Sequence, residues 1–131
     1  MSDKKPQIGE ICWNALMTSD TKKASEFYGS LLGWKTLAHE VDNITYTMFK
    51  LGEKDIGGMM QITSDQMGKV PSHWTSYINV DDLDAMVNKA KSLGATIVVP
   101  ATQVSDYGRF AVIKDPTGAQ ISLWQSLKDC A

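Results

Sequence analysis

Residues 12–34, CWNALMTSDTKKASEFYGSLLGW, can be laid over residues 73–95, HWTSYINVDDLDAMVNKAKSLGA, at one constant shift. Trp13 then falls over Trp74, Asp20 over Asp81, Ala24 over Ala85, Leu32 over Leu93 and Gly33 over Gly94. The same shift carries Gly57 onto Gly118 and Gln61 onto Ser122, so the similarity continues beyond the quoted stretches. Such self-similarity marks two copies of one supersecondary unit.

Each copy opens on a strand-like run, residues 11–18 and 74–80, followed at once by Ser19-Asp20 or Asp81-Asp82, which are helix N-cap signals. Ala24, Phe27, Tyr28, Leu31 and Leu32 recur at helical spacing in the first copy, and Leu83, Met86, Val87, Ala90 and Leu93 in the second. Gly33 and Gly94 stand where a glycine stops a helix. Three β-leaning segments follow each helix: 34–39, 44–51 and 56–63, then 96–104, 109–114 and 119–125. Asp42-Asn43, Gly52-Glu53, Tyr107-Gly108 and Asp115-Pro116-Thr117-Gly118 mark the turns between them. The glycines of LGEKDIGGMM (51–60) precede a strand rather than a helix, so they read as a hairpin bend and a close approach of backbone, not a phosphate loop.

The predicted fold is α+β: two βαβββ units, residues 8–63 and 73–126, joined by the linker 64–72 within one domain spanning 1–131. A sheet with a helix on one face needs cover on the other. Two such sheets curving together would enclose a cleft suited to a small ligand.

A chain of 131 residues, 43% hydrophobic and 21% charged, has ordinary globular composition. The net charge of −2, with Arg109 the only arginine, gives no basic surface for nucleic acid. No apolar run resembles a signal peptide or a membrane span, so a cytoplasmic location is expected. Cys12 and Cys130 have neither metal-type nor disulfide-framework spacing.

The paired units, the FYGSLLGW helix end (27–34) and the GRFAVIKDPTGAQISLW hairpin (108–124) together resemble the vicinal oxygen chelate superfamily, which includes glyoxalase I, extradiol dioxygenases, fosfomycin resistance enzymes and bleomycin resistance proteins. The resemblance spans roughly residues 8–126. It implies a glyoxalase-like fold, a small-molecule ligand and a homodimer. It also implies a divalent metal held by His, Glu or Gln, His and Glu, from the first and last strands of each unit.

Carried onto this chain, those positions fall on Trp13, on Gln61 or Met60, on Thr75 or Trp74, and on Ser122. Segments 11–18, 56–63 and 119–125 contain no His, Asp or Glu, so a register error does not restore the set. One amide and two hydroxyls do not hold an ion that is satisfied by several imidazole or carboxylate ligands at about 2 to 2.3 Å. His73, two residues before Thr75, adds one imidazole and reads equally as a strand-edge histidine. No metal and no cofactor are expected.

Strand alternation instead predicts a ligand-binding cleft lined by Trp13, Met17, Gln61, Thr75, Tyr77, Asn79, Ser122 and Trp124, with Leu16, Ile121 and Leu123 facing the helices. Aromatic rings and Met17 mixed with amides and hydroxyls suit a small, partly aromatic molecule. Trp13, Met17 and Trp124 could equally fill space between sheets. Arg109 could clamp an anionic group of the ligand, or pair with Asp106 or brace the Asp115 turn. Tyr77, His73 and Tyr46 are the candidates for acid–base work without a metal.

Three readings compete: a metal-independent glyoxalase-like ligand-binding protein, a metal-dependent lactoylglutathione lyase or dioxygenase, and a drug-sequestering protein of the bleomycin-resistance kind.

Overall fold

A computed structural model of the protein describes residues 7–41, 44–62, 71–104 and 107–127. Cys130, Asp106, the Asp42-Asn43 turn and most of the 64–72 linker lie outside those residues. The chain order is β1 (Ile11–Thr18), α1 (Thr21–Leu32), β2 (Lys35–Val41), β3 (Ile44–Leu51), β4 (Lys54–Gln61), β5 (His73–Asn79), α2 (Leu83–Ser92), β6 (Thr96–Val104), β7 (Gly108–Lys114) and β8 (Gln120–Ser126). The fold is mixed α+β, with the strand-helix-strand-strand-strand order present twice. No helix among the described residues is long and apolar enough to cross a membrane.

Two compact units make up the chain, one of residues 13–75 and one that joins residues up to Cys12 with those from Ser76 onward. The N-terminal segment joins the later unit because its backbone pairs there: Gly9 N–H donates to Asn79 O at 2.8 Å and Asn79 N–H to Glu10 O at 2.9 Å. The Cys12 thiol also donates to Tyr77 O.

In the 13–75 unit the strands run β2-β3-β4-β1, with β1 and β4 parallel and the other pairs antiparallel. Asp20 caps α1 by accepting from Lys23 N–H, and Gly33 ends it at φ 77°, a left-handed conformation that costs glycine nothing. Leu16, Phe49 and Met59 form the core beneath α1, joined by Ala24, Tyr28 and Trp34. Tyr28 stacks on Trp34 at 5.5 Å and accepts a hydrogen bond from the Trp74 indole at 3.0 Å.

The helical repeat overstates the buried face of α1. No residue of that helix is buried, and Phe27 and Leu31 are 58% and 62% exposed. Ala24 and Tyr28, one turn apart, carry the packing, while Phe27 and Leu31 are rotated off that stripe.

In the other unit the strands run β5-β8-β7-β6. Asp82 caps α2 through Ala85 N–H. Leu83 and Val87 of α2 pack with Val80, Ala111, Ile113 and Leu123 in a core closed to solvent. Asp115 holds the turn before β8 by accepting from the Thr117 hydroxyl and from Thr117 and Ala119 N–H, which keeps its carboxyl below the usual range.

Candidate functional site

Each unit presents one sheet face to its helix and one without a helix, and the expected site residues divide between the two. Cross-strand partners share a face. In the 13–75 unit Ala15 pairs with Gly58, Met17 with Met60, Met48 with Gly58 and Tyr46 with Met60. Trp13, Ala15, Met17, Tyr46, Met48 and Met60 therefore line the helix-free face, opposite Leu16, Phe49 and Met59. Met17 and Met60 are buried, while Trp13, Tyr46 and Met48 are half-buried.

Across this face the Trp13 Nε1–H donates to Tyr46 Oη at 2.7 Å. The two residues sit on strands that flank β4. Glycine makes the crossing possible: a Cβ at residue 58 would lie 1.7 Å from Tyr46 Oη. The phenol thus rests on bare backbone, the close approach that the paired glycines suggest. Burial pushes the Tyr46 hydroxyl up to about 12, partly opposed by the Trp13 hydrogen bond. It is neutral at physiological pH and cannot act as a base there.

Gln61 is not on this face. It pairs with Thr18, on the helix side. Its Oε1 accepts from Thr21 N–H at 3.3 Å and its Nε2 donates to the Ser19 carbonyl, so the amide ties the β1–α1 corner together. Met60 occupies the corresponding place on the helix-free face, because one residue along a strand reverses the side chain. Thr75 is buried, and His73 directs Nδ1–H to the Pro71 carbonyl at 2.8 Å.

In the other unit Tyr77 pairs with Ser122, Asn79 with Trp124, Ser122 with Val112 and Trp124 with Phe110, which places Tyr77, Asn79, Ser122 and Trp124 together on its helix-free face. Ser122 is fully buried and Tyr77 is 6% exposed. Asn79 Nδ2 donates to Gln7 O at 3.3 Å. The Trp124 ring lies over Gly108, where a Cβ would stand 2.3 Å from the indole. Both units thus use a glycine to seat a ring on this face.

Arg109 leaves the predicted set. Its guanidinium makes two hydrogen bonds to the Asp84 carboxylate of α2, at 3.0 and 3.1 Å. The pair holds Asp84 below the usual carboxylate range and raises Arg109. Neither the Asp115 turn nor the helix-free face receives it, since Arg109 shares the helix side with Gln125, its strand partner, whose Oε1 accepts from Leu83 N–H.

The donor set can now be tested against the metal that the resemblance implies. Trp13 offers an N–H already committed to Tyr46, Met60 a thioether, and Thr75 and Ser122 buried hydroxyls. Among the described residues no three His, Cys, Asp or Glu side chains gather. These groups do not fit a divalent ion that needs imidazole or carboxylate ligands.

An open groove of about 510 Å³ lies on the helix side of the 13–75 unit, floored by Leu16, Ala24, Phe27 and Tyr28 with Lys23 and Ser72 at its rim. It contains none of the predicted residues. Tyr46, Met48 and Met60 are the contributors to the helix-free face that the sequence left out of its lining set. The alternation Tyr46, Met48, Lys50 in ITYTMFKL is the signal that could have found the first two.

The chain is 35% identical over 116 residues to the protein named "Putative glyoxylase CFP32" from Mycobacterium tuberculosis (strain CDC 1551 / Oshkosh), covering 87% of this chain and 44% of that protein. It is 29% identical over 130 residues to the anthracycline biosynthesis protein DnrV of Streptomyces peucetius, covering 89% and 47%. The chain therefore spans less than half the length of these relatives.

Among solved structures, methylmalonyl-CoA epimerase from Mycobacterium tuberculosis superposes with a TM-score of 0.59 at 22% identity, over 90% of this chain and 87% of that one. Hypothetical protein BH1468 from Bacillus halodurans C-125 reaches 0.66 at 12%, over 95% and 99%. These two likenesses show the fold alone. A family model described as Glyoxalase/Bleomycin resistance protein/Dioxygenase superfamily matches residues 8–123. That match, over most of the chain, establishes that the chain belongs to the glyoxalase/bleomycin resistance protein/dioxygenase superfamily.

Proposed function

We propose that this chain is a glyoxalase-like protein that binds a small, planar, partly aromatic molecule against its helix-free sheet faces and does so without a metal. The observation that carries the reading is the composition of one face: where the family resemblance implies metal ligands, the chain has Trp13 and Met60, and Met17, Met48 and Tyr46 surround them. Indole, phenol and thioether groups are polarisable and adaptable, and they favour flat apolar ligands over hydrated ions. The relative named for anthracycline biosynthesis supports an aromatic ligand. On this reading Thr75 belongs to the same binding face, Tyr77, Asn79, Ser122 and Trp124 line the helix-free face of the other unit, and the assembly is a homodimer in the cytoplasm.

The test is a thermal-shift series with aromatic acids, aldehydes and glutathione conjugates, because a ligand that binds only the native state raises the melting temperature. Aromatic compounds should raise it in the wild-type protein and lose that effect in Trp13→Ala. Stoichiometric nickel or zinc retained through gel filtration, together with turnover of the methylglyoxal–glutathione adduct, would overturn the proposal in favour of a metal-dependent lyase.

A further inference from the structure

The helix-free face of the 13–75 unit carries Met17, Met48 and Met60 around the paired Trp13 and Tyr46, with the exposed His39 of β2 at the position paired with Tyr46, and the Trp13–Tyr46 pair has a direction. An indole nitrogen can only donate, so Tyr46 Oη must accept from it. The phenol's own hydrogen is then left to point elsewhere. Among the described residues Tyr46 makes no second hydrogen bond, although it is half-buried beside Met48 and over Gly58. A donor without a partner, set beside methionine side chains on this face, is a recognition element, because a ligand that offers no acceptor leaves it desolvated and unpaired.

We propose that the Tyr46 hydroxyl determines ligand specificity by donating its hydrogen to a carbonyl-type oxygen of a planar aromatic ligand lying along Trp13, Met17 and Met60. The inference rests on the reading that this face binds the ligand, and it adds the chemical class: an aromatic ketone or quinone in preference to the corresponding hydrocarbon. Trp13 is a positioning residue, fixing the phenol oxygen as acceptor. Gly58 is the second positioning residue, because any side chain there removes the space in which the phenol lies. Burial, which keeps the hydroxyl protonated through the physiological range, keeps it a donor.

Equilibrium dialysis with a matched pair of soluble probes, anthraquinone-2-sulfonate and anthracene-2-sulfonate, separates this inference from the reading beneath it. The wild-type protein should bind the quinone more tightly. Tyr46→Phe should weaken quinone binding about tenfold, the worth of one well-placed hydrogen bond, and leave anthracene-2-sulfonate unchanged. Gly58→Ala displaces the phenol while keeping it in the chain, and should produce the same selective loss. It carries the test should Tyr46→Phe fail to fold, with far-ultraviolet circular dichroism confirming the fold of each variant. Equal weakening of both probes, or of neither, in the folded variants would overturn the role of Tyr46 and leave the aromatic-binding face standing. Failure of the folded wild-type protein to bind either probe would overturn both.

Discussion

The strongest quantitative consequence of the Trp13–Tyr46 bridge is an alkaline instability that Tyr46→Phe should remove. The Tyr46 hydroxyl is raised from 10.0 to about 12 in the folded chain. An acid whose folded value lies above its unfolded value binds more protons in the native state between the two. Its contribution to stability is therefore complete below pH 10 and is lost as the pH rises toward 12. At pH 11 the unfolded phenol is mostly ionised and the native one mostly protonated, which costs the fold about 1.4 kcal/mol relative to neutral pH. At still higher pH the loss approaches roughly 2.7 kcal/mol.

Every other ionisable group is present in both proteins and cancels in the comparison. Tyr46→Phe should be less stable than the wild-type protein at pH 8 by about 1 to 2 kcal/mol, because the half-buried Trp13 N–H loses its acceptor. That gap should close by about 1.4 kcal/mol at pH 11. Urea unfolding followed by circular dichroism at pH 8, 9, 10 and 11 measures it. Parallel pH profiles for the two proteins would show that the phenol is not withdrawn from water as the geometry requires.

Leu83, fully buried at the start of α2, and Phe49, fully buried beneath α1, should cost about 2 to 5 kcal/mol each when replaced by alanine, read as lowered urea midpoints. Wild-type protein incubated with nickel or zinc and then gel-filtered should retain far less than one ion per chain by elemental analysis, since the aligned positions offer indole, thioether and hydroxyl groups. Asp115→Ala should be destabilised at neutral pH, and the difference from the wild-type protein should shrink as acid protonates the wild-type carboxylate. Its folded value is depressed by Thr117 and Ala119, so the stabilisation exists above the unfolded value and is lost as the pH falls through the folded one. Thermal scans from pH 7 to pH 3 measure this.

The duplicated unit, the two helix caps at Asp20 and Asp82, the helix stop at Gly33 and the order of the strands are legible in the sequence, because these depend on contacts between neighbours in the chain. The sequence also shows that segments 11–18, 56–63 and 119–125 contain no His, Asp or Glu and that His73 adds a single imidazole near the aligned positions, since composition needs no coordinates. The folded chain settles what a one-residue change of register alters. Gln61 turns to the helix corner and Met60 takes the helix-free face, because alternate strand residues point to opposite sides. It also decided partners distant in sequence: Arg109 goes to Asp84 of α2, and Trp13 meets Tyr46 across a strand at which residue 58 has no side chain. Periodicity reports which residues alternate, whereas the reach of an indole, a phenol or a guanidinium to a distant group depends on how strands are laid side by side, and that is fixed only when the chain folds.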